Sequence, residues 1–327
     1  MSDASGITIT DVLGLAKGAQ KLLDTIALGV GKFCEPWHVQ RMATAKAKEI
    51  EIISDAISQN ICLPISYNNG EIHINAEDAN QLATRAQNRA LYQEMRKQQN
   101  IENVIAKAYN ELKGVDVVSE KPVAPDWVNE FFNRVANISN EQMQTLWAKL
   151  LAGEVQQPGQ FSMRTLGTLK NLSQEEATLF SRITPYILRN NPAANEPEKA
   201  YFLINDDDLQ NKYGITFSQI MRLSEAGLFY TNGSVRFGIN IQPGETTVIS
   251  GVQKAIYIKN TRANLIGLDY MVYPLTESGI ELYKVAFSSE KGDYNDYLES
   301  CLQSMKRRGF GDFSAEPIPN DIIAYIE

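Results

Sequence analysis

Five side chains carry most of the nucleophilic and metal-ligating potential of this sequence: His38 and His73, the two histidines, and Cys34, Cys62 and Cys301, the three cysteines. Neutral imidazole and thiolate are the ordinary ligands of zinc, so Cys34, His38, Cys62 and His73 form a candidate metal set of two Cys and two His. The spacing is irregular and is not that of a zinc finger, and Pro36 sets Cys34 and His38 across a turn rather than along one helical face. A free cysteine commonly serves as a small apolar residue, so the structural reading of these four is preferred and no metal is expected. The run Asp206-Asp207-Asp208 lacks the alternating ligands and the glycine of a calcium loop. Three acids opening a helix, where they meet the positive end of its dipole, account for it. With two histidines, no Gly-rich phosphate loop, no Gly-x-Ser-x-Gly and no His-Glu-x-x-His, the sequence specifies neither a catalytic constellation nor a cofactor, and the expected protein is not an enzyme.

The remaining candidates are contact residues. From Thr10, Val12, Leu15, Leu22, Ile26, Val30 and Phe33 recur at helical spacing as one apolar stripe, with Lys17 and Lys21 off it. Leu15, Leu22, Ile26, Lys17 and Lys21 would meet either a protein surface or a membrane surface. Gly14 and Gly18, four apart, allow close approach of another helix. Lys17, Lys21, Asp24 and Lys32 interrupt the run, which argues against a spanning helix. A second contact set, Arg222, Lys254 and Lys259, belongs to a DNA-contact reading of the C-terminal half. Residues 201 to 260 balance Lys212, Arg222, Arg236, Lys254 and Lys259 against Asp206, Asp207, Asp208, Glu225 and Glu245, whereas DNA-binding modules are locally basic.

Composition agrees with this. Thirty-one Lys and Arg against 39 Asp and Glu give a net charge of -8, which argues against coating nucleic acid by bulk charge. Three scattered cysteines do not make a disulfide framework, and the opening Met-Ser-Asp-Ala-Ser-Gly has no basic stretch, so a cytoplasmic protein, with peripheral association to the inner membrane as the variant, is expected.

These residues need elements to hold them. The stretch from Val39 to about Gln59 reads as a helix, and Asn69-Gly70 between Ile65 and Ile74 is a hairpin signal. Asp78 to Leu112 is a long helical pattern with a polar middle, which either breaks near Gln98 to Asn100 or reaches into an oligomer. Val117 to Ala124 reads as a connector. Ser139-Asn-Glu-Gln142 has the form of a capping box opening a helix to about Gly153. Ser162 caps a short helix to Leu172, and Ser173-Gln-Glu-Glu176 is a second capping box for a helix to about Leu188. Further on come a strand at Tyr201 to Ile204, a helix from Asp206, and a helix opened by the box Thr216-Phe-Ser-Gln219 and stopped at Gly227. Strands at Ser234 to Ile241, Thr246 to Ile258 and Tyr270 to Leu275 follow, then a helix capped by Thr276. Lys306-Arg307-Arg308 closes a last helix with cations, as its dipole favours.

The residues Trp147-Ala-Lys-Leu-Leu-Ala-Gly-Glu154, Pro158-Gly-Gln-Phe-Ser162, Arg164-Thr-Leu166 and Leu172-Ser-Gln-Glu-Glu-Ala177 resemble the core block of an uncharacterised bacterial family, a domain of unknown function. Val12-Leu-Gly-Leu15 through Gly29-Val-Gly31 to Pro36 is similar to it too, so the resemblance extends over most of the chain. The Trp-x-x-Leu-Leu-Ala element is distantly similar to the abortive-infection alpha proteins of bacterial antiphage defence. That resemblance implies a defence role by analogy and no catalytic residues.

The expected architecture is α+β and mainly helical, with an N-terminal long-helix region and a C-terminal winged-helix-like region. Its parts are residues 1–118, helical with a hairpin near 65–74; 119–172, a helical connector; 173–290, winged-helix-like; and 291–327, a last helix and tail. The expected function is that of a non-enzymatic interaction or oligomerisation protein, with a protein partner or a second copy as ligand. A DNA-binding regulator and a membrane-surface effector are the alternatives.

Overall fold

A computed structural model describes residues 16–30, 66–68, 71–73, 76–191, 200–231, 233–251, 255–286, 295–307 and 314–317. The chain divides into two compact units, Met1–Gln160 and Phe161–Glu327. That division falls within the expected connector 119–172. The expected helix at 39–59, the start at Thr10, Leu15 and Gly14 lie outside the described residues.

In the first unit, α1 (Lys17–Val30), the hairpin β1 (Ser66–Asn68) and β2 (Glu71–His73), and α2 (Ala76–Leu112) are followed by α3 (Pro125–Val135) and α4 (Glu141–Gln156). The two strands of the expected hairpin pair antiparallel, with Asn68 opposite Glu71, while Asn69-Gly70 lie outside the described residues. Helix α2 runs unbroken for 37 residues, about 55 Å at ~1.5 Å per residue. No Pro or Gly interrupts it, and at Asn100, where a break was one expectation, burial begins instead. Leu82, Leu91, Tyr92 and Met95 are exposed, whereas Ile101, Val104, Ile105, Ala108 and Leu112 are buried against α3 and α4.

Asn100 is buried with its polar ends satisfied. Its Nδ2 donates to the Ala136 carbonyl at 2.8 Å, and its Oδ1 accepts from Gln144 Nε2 at 3.4 Å, the same amide that donates to the Ile138 carbonyl at 2.8 Å. Helix α3 was not expected from the sequence. Pro125 at its first position supplies a preset φ, and Trp127, Val128, Phe131, Phe132 and Val135 form its buried face. Trp147 packs edge-on to Phe131 at 5.4 Å between ring centres, and Trp127 stacks on the same ring at 5.2 Å. The Trp147 block is thus core packing.

The cap of α4 differs from expectation by one residue. Asn140, not Ser139, is the N-cap, and its side chain accepts from the Met143 amide. Asn caps as well as Ser, and the Gln144 backbone amide donates to the Asn140 carbonyl at 2.9 Å, which places the helix start one residue later. The helix also continues past Gly153 to Gln156, whose carbonyl accepts from the Ser119 amide.

The second unit contains α5 (Met163–Asn171), α6 (Gln174–Ile183), a 3-10 turn at Thr184–Tyr186, β3 (Leu188–Asn191), β4 (Ala200–Ile204), α7 (Asp207–Tyr213) and α8 (Phe217–Glu225). It continues with β5 (Val235–Ile241), β6 (Thr246–Ser250), β7 (Ala255–Lys259), β8 (Ile266–Pro274), α9 (Glu277–Ala286), α10 (Asn295–Arg307) and β9 (Ser314–Pro317). The capping boxes Ser173/Glu176 and Thr216/Gln219 form as expected, and Gly227 stops α8 with φ 82°. Helix α6 ends at Ile183 and not near Leu188, because Pro185 cannot donate to an α-helical bond.

The strands form one antiparallel seven-stranded sheet in the order β5-β8-β4-β3-β6-β7-β9. The run expected as a single strand from Thr246 to Ile258 is two strands paired as a hairpin, with Thr246 opposite Lys259. Leu188, Phe202, Ile220, Leu223, Leu228 and Val272 are buried at this unit's core.

Candidate functional site

Of the proposed metal set, Cys34, His38 and Cys62 lie outside the described residues, and His73 is the last residue of β2. Among the described residues no group of three His, Cys, Asp or Glu is placed to hold a metal. The Asp206 run does open a helix: Asp206 is the N-cap of α7, and its Oδ1 accepts from the amides of Asp208 at 3.0 Å and Leu209 at 3.2 Å.

The N-terminal stripe is placed inside its own unit. Ala19, Leu22 and Ile26 are buried, with α1 packed on α3 and touching α2 and α4. Gly29 permits the approach to α3: a Cβ there would stand 2.4 Å from Phe132 Cδ2 and 2.6 Å from Val128 Cγ1. Gly18 does the same at the end of α2, where its amide donates to the Val115 carbonyl at 2.9 Å. Lys17 is exposed, while Lys21 Nζ reaches the Ser119 carbonyl at 2.6 Å, and burial lowers its pKa against the opposing pull of Glu154. Leu22 and Ile26, offered as contact residues for a membrane or a partner, are therefore occupied by the unit's core. No described helix is long and apolar enough to cross a membrane.

Of the DNA-contact set, Arg222 and Lys259 are described and lie on different elements. Arg222 lies on α8, but its guanidinium bonds Glu175 at 2.8 Å and approaches Glu176 at 3.5 Å on α6. Its pKa rises because Glu175 accepts a hydrogen bond from it, and that of Glu176 falls chiefly because the Ser173 amide donates to it within the capping box. Lys259 sits exposed at the end of β7, and Lys254 is outside the described residues. The sheet order places Lys259 in the β6-β7 pair, separated by β3, β4 and β8 from β5, the strand that follows α8 in the chain. What α8 presents outward at its first position is Phe217, 59% exposed.

Another convergence of titratable side chains was not foreseen. Lys212 and Tyr213 at the end of α7 meet Asp296 and Ser300 on α10. Tyr213 OH donates to Asp296 Oδ2 at 2.7 Å and lies 3.0 Å from Ser300 Oγ, while Lys212 Nζ stands 3.0 Å from both Ser300 Oγ and Asp296 Oδ2. Beneath this surface, the rings of Tyr186, Tyr213 and Tyr297 pack mutually at 5.0 to 5.4 Å. Cys301 is fully buried, and Ser304 hydrogen-bonds Asp206 Oδ2.

A Lys, Tyr, Ser and Asp in contact invite a catalytic reading, and the electrostatics oppose it. Burial raises the Tyr213 phenol, the hydrogen bond to Asp296 raises the Lys212 ammonium, and the Tyr213 hydroxyl, then Lys212, lower the Asp296 carboxyl. Each group is driven deeper into the state it already holds at neutral pH, the reverse of a poised acid, base or nucleophile. The cluster is a latch that docks α10 on α7. Sequence reading missed it because its members lie more than 80 residues apart.

A family model described as "Protein of unknown function (DUF2806)" matches residues 84–299. No curated protein and no solved structure matches the chain.

Proposed function

Because the chain belongs to the DUF2806 family, whose description assigns no activity, we propose a function from its own side chains: a non-enzymatic, cytoplasmic protein that acts by self-association or by binding a protein partner. The observation that carries this reading is the state of α8. Its single basic side chain, Arg222, is bound to Glu175 and Glu176, and its exposed first residue is Phe217. A helix offering an aromatic ring, with its cation already neutralised, suits contact with protein better than with phosphate.

The second unit reads as winged-helix-like on its order of elements. Strand β4 leads into α7 and α8, β5 follows, and β8, which pairs antiparallel with β5, lies between β5 and β4. That order keeps a DNA-binding regulator as the alternative, with Arg222, Lys254 and Lys259 as its contacts. A part in antiphage defence comes from the distant similarity of the Trp147 block alone.

Passage of the full chain over immobilised duplex DNA at near-physiological salt separates the two readings. Flow-through, with association detected by light scattering, is the expected result. Retention that is lost on replacing Arg222, Lys254 and Lys259 with Ala would establish the regulator instead.

A further inference from the structure

The seven-stranded sheet has two unlike ends. At one, β9 is four residues long and carries Glu316 and Pro317, the features by which natural sheets blunt an edge against pairing with another chain. At the other, β5 is seven residues long, Val-Arg-Phe-Gly-Ile-Asn-Ile, without proline and with one charge. That charge is neutralised sideways: Arg236 Nη1 lies 3.3 Å from Asp269 Oδ2 on β8. Among the described residues, β5 pairs with β8 alone, so its outer row of backbone groups has no strand beside it. The strand is also held in shape. Phe237 packs on Phe202 at 5.1 Å and on Tyr270 at 5.7 Å, and the buried Asn260 donates through Nδ2 to the Ile241 carbonyl at 2.8 Å.

We propose that β5 is a dimerisation edge, occupied by β5 of a second copy in antiparallel pairing centred on Gly238. This rests on the reading of the chain as a self-associating protein and names the surface. The strand is complementary to itself in that register alone over its full length. Alternation puts Val235, Phe237, Ile239 and Ile241 on one face and Arg236, Gly238 and Asn240 on the other. Pairing about Gly238 sets Val235 opposite Ile241 of the second copy and Phe237 opposite its Ile239, so the apolar face continues across the junction. On the other face Arg236 meets Asn240 of the second copy, and no like charges face each other. In-register parallel pairing would instead set Arg236 against Arg236. The antiparallel arrangement closes with two-fold symmetry, so it ends at a dimer and does not propagate.

Sedimentation of the full chain over a concentration series tests this. Asn240 is exposed, so its substitution tests the pairing without disturbing the core. A monomer–dimer equilibrium is expected, weakened about 2- to 30-fold in Kd by Asn240→Arg, which opposes two cations twice, and tightened to a similar degree by Asn240→Asp. The exchange Arg236→Asn with Asn240→Arg restores the original pairing and the original Kd. A dimer indifferent to both single substitutions overturns the β5 edge while leaving self-association standing. A chain that stays monomeric at every concentration overturns the proposal, and DNA retention, which would sink the underlying reading, is scored separately.

Discussion

Gly279 lies against the backbone of Leu228 so closely that a Cβ at position 279 would stand 2.1 Å from the Leu228 carbonyl oxygen. The same few residues tie α9 to the turn after α8. The Thr276 amide donates to that Leu228 carbonyl at 3.0 Å, Thr276 Oγ1 donates to the Gly227 carbonyl at 2.6 Å, and the Gly279 amide donates back to Thr276 Oγ1 at 3.0 Å. Leu275 forms a bridge with Phe229 beside them. The clash is with backbone, so neither a rotamer change nor a small side-chain shift relieves it. Gly279→Ala is expected to cost ~3 kcal/mol, the upper end of what overpacking costs, and Thr276→Ala ~1 kcal/mol as a lost cap. Urea unfolding followed by far-UV circular dichroism measures both. An Ala variant as stable as the parent would show that the helix can move off Leu228.

Burial of the α1 stripe gives the second expectation. Leu22 is fully buried and Ile26 is 1% exposed, so Leu22→Ala should lower stability by about 2–5 kcal/mol through lost contacts and a cavity. Lys17→Ala, on the exposed side, should stay within ~0.5 kcal/mol of the parent. Trp127 and Trp147 lie in the same unit, so tryptophan fluorescence reports the loss where it occurs. A membrane-contact helix would give the opposite pair of results, unchanged stability and weaker binding to anionic vesicles.

Local signals in the sequence were legible where the chemistry of a boundary is itself local. Ser173 with Glu176, Thr216 with Gln219, Ser162 and Asp206 all cap as their types and spacing demand, and Gly227 takes the positive φ expected of it. Errors arose where two local readings compete or where a distant partner decides. Asn140 rather than Ser139 caps α4, two adjacent residues that both suit the position, and α3 was lost inside a proline-bearing connector although Pro125 at its first position was its signal. Strand β3 owes its existence to pairing with β4 and β6 on either side. The latch of Lys212, Tyr213, Asp296 and Ser300 joins two helices whose sequences give no hint of each other.

Cys301 supplies a third measurement. Burial pushes its thiol up to about 12, and its neighbour Tyr297 is raised by burial as well. A thiol in that state has almost no thiolate at pH 8 and no access to reagent. The peptide carrying Cys301 should remain unmodified after treatment of the native protein with iodoacetamide and become modified after denaturation, as read by mass spectrometry. Rapid native labelling would mean that α10 leaves α7 readily.

Docking of α10 should depend on pH at both extremes and be flat between them. The folded pKa of Asp296 lies below its ordinary value, so its contribution is present above about pH 4 and is lost as pH falls through the depressed value. That of Lys212 lies above its ordinary value, so its contribution is present below about pH 10 and is lost as pH rises through the raised value. Both groups are about half exposed, at 51% and 58%, so the effect on global stability is small and the local one is the better readout. Amide exchange over 295–307 should quicken in acid before the rest of the unit does. Asp296→Asn tests the assignment: the variant exchanges faster at pH 7 and loses the early acid step. An acid step that persists in the variant would show that Asp296 is not the responsible group.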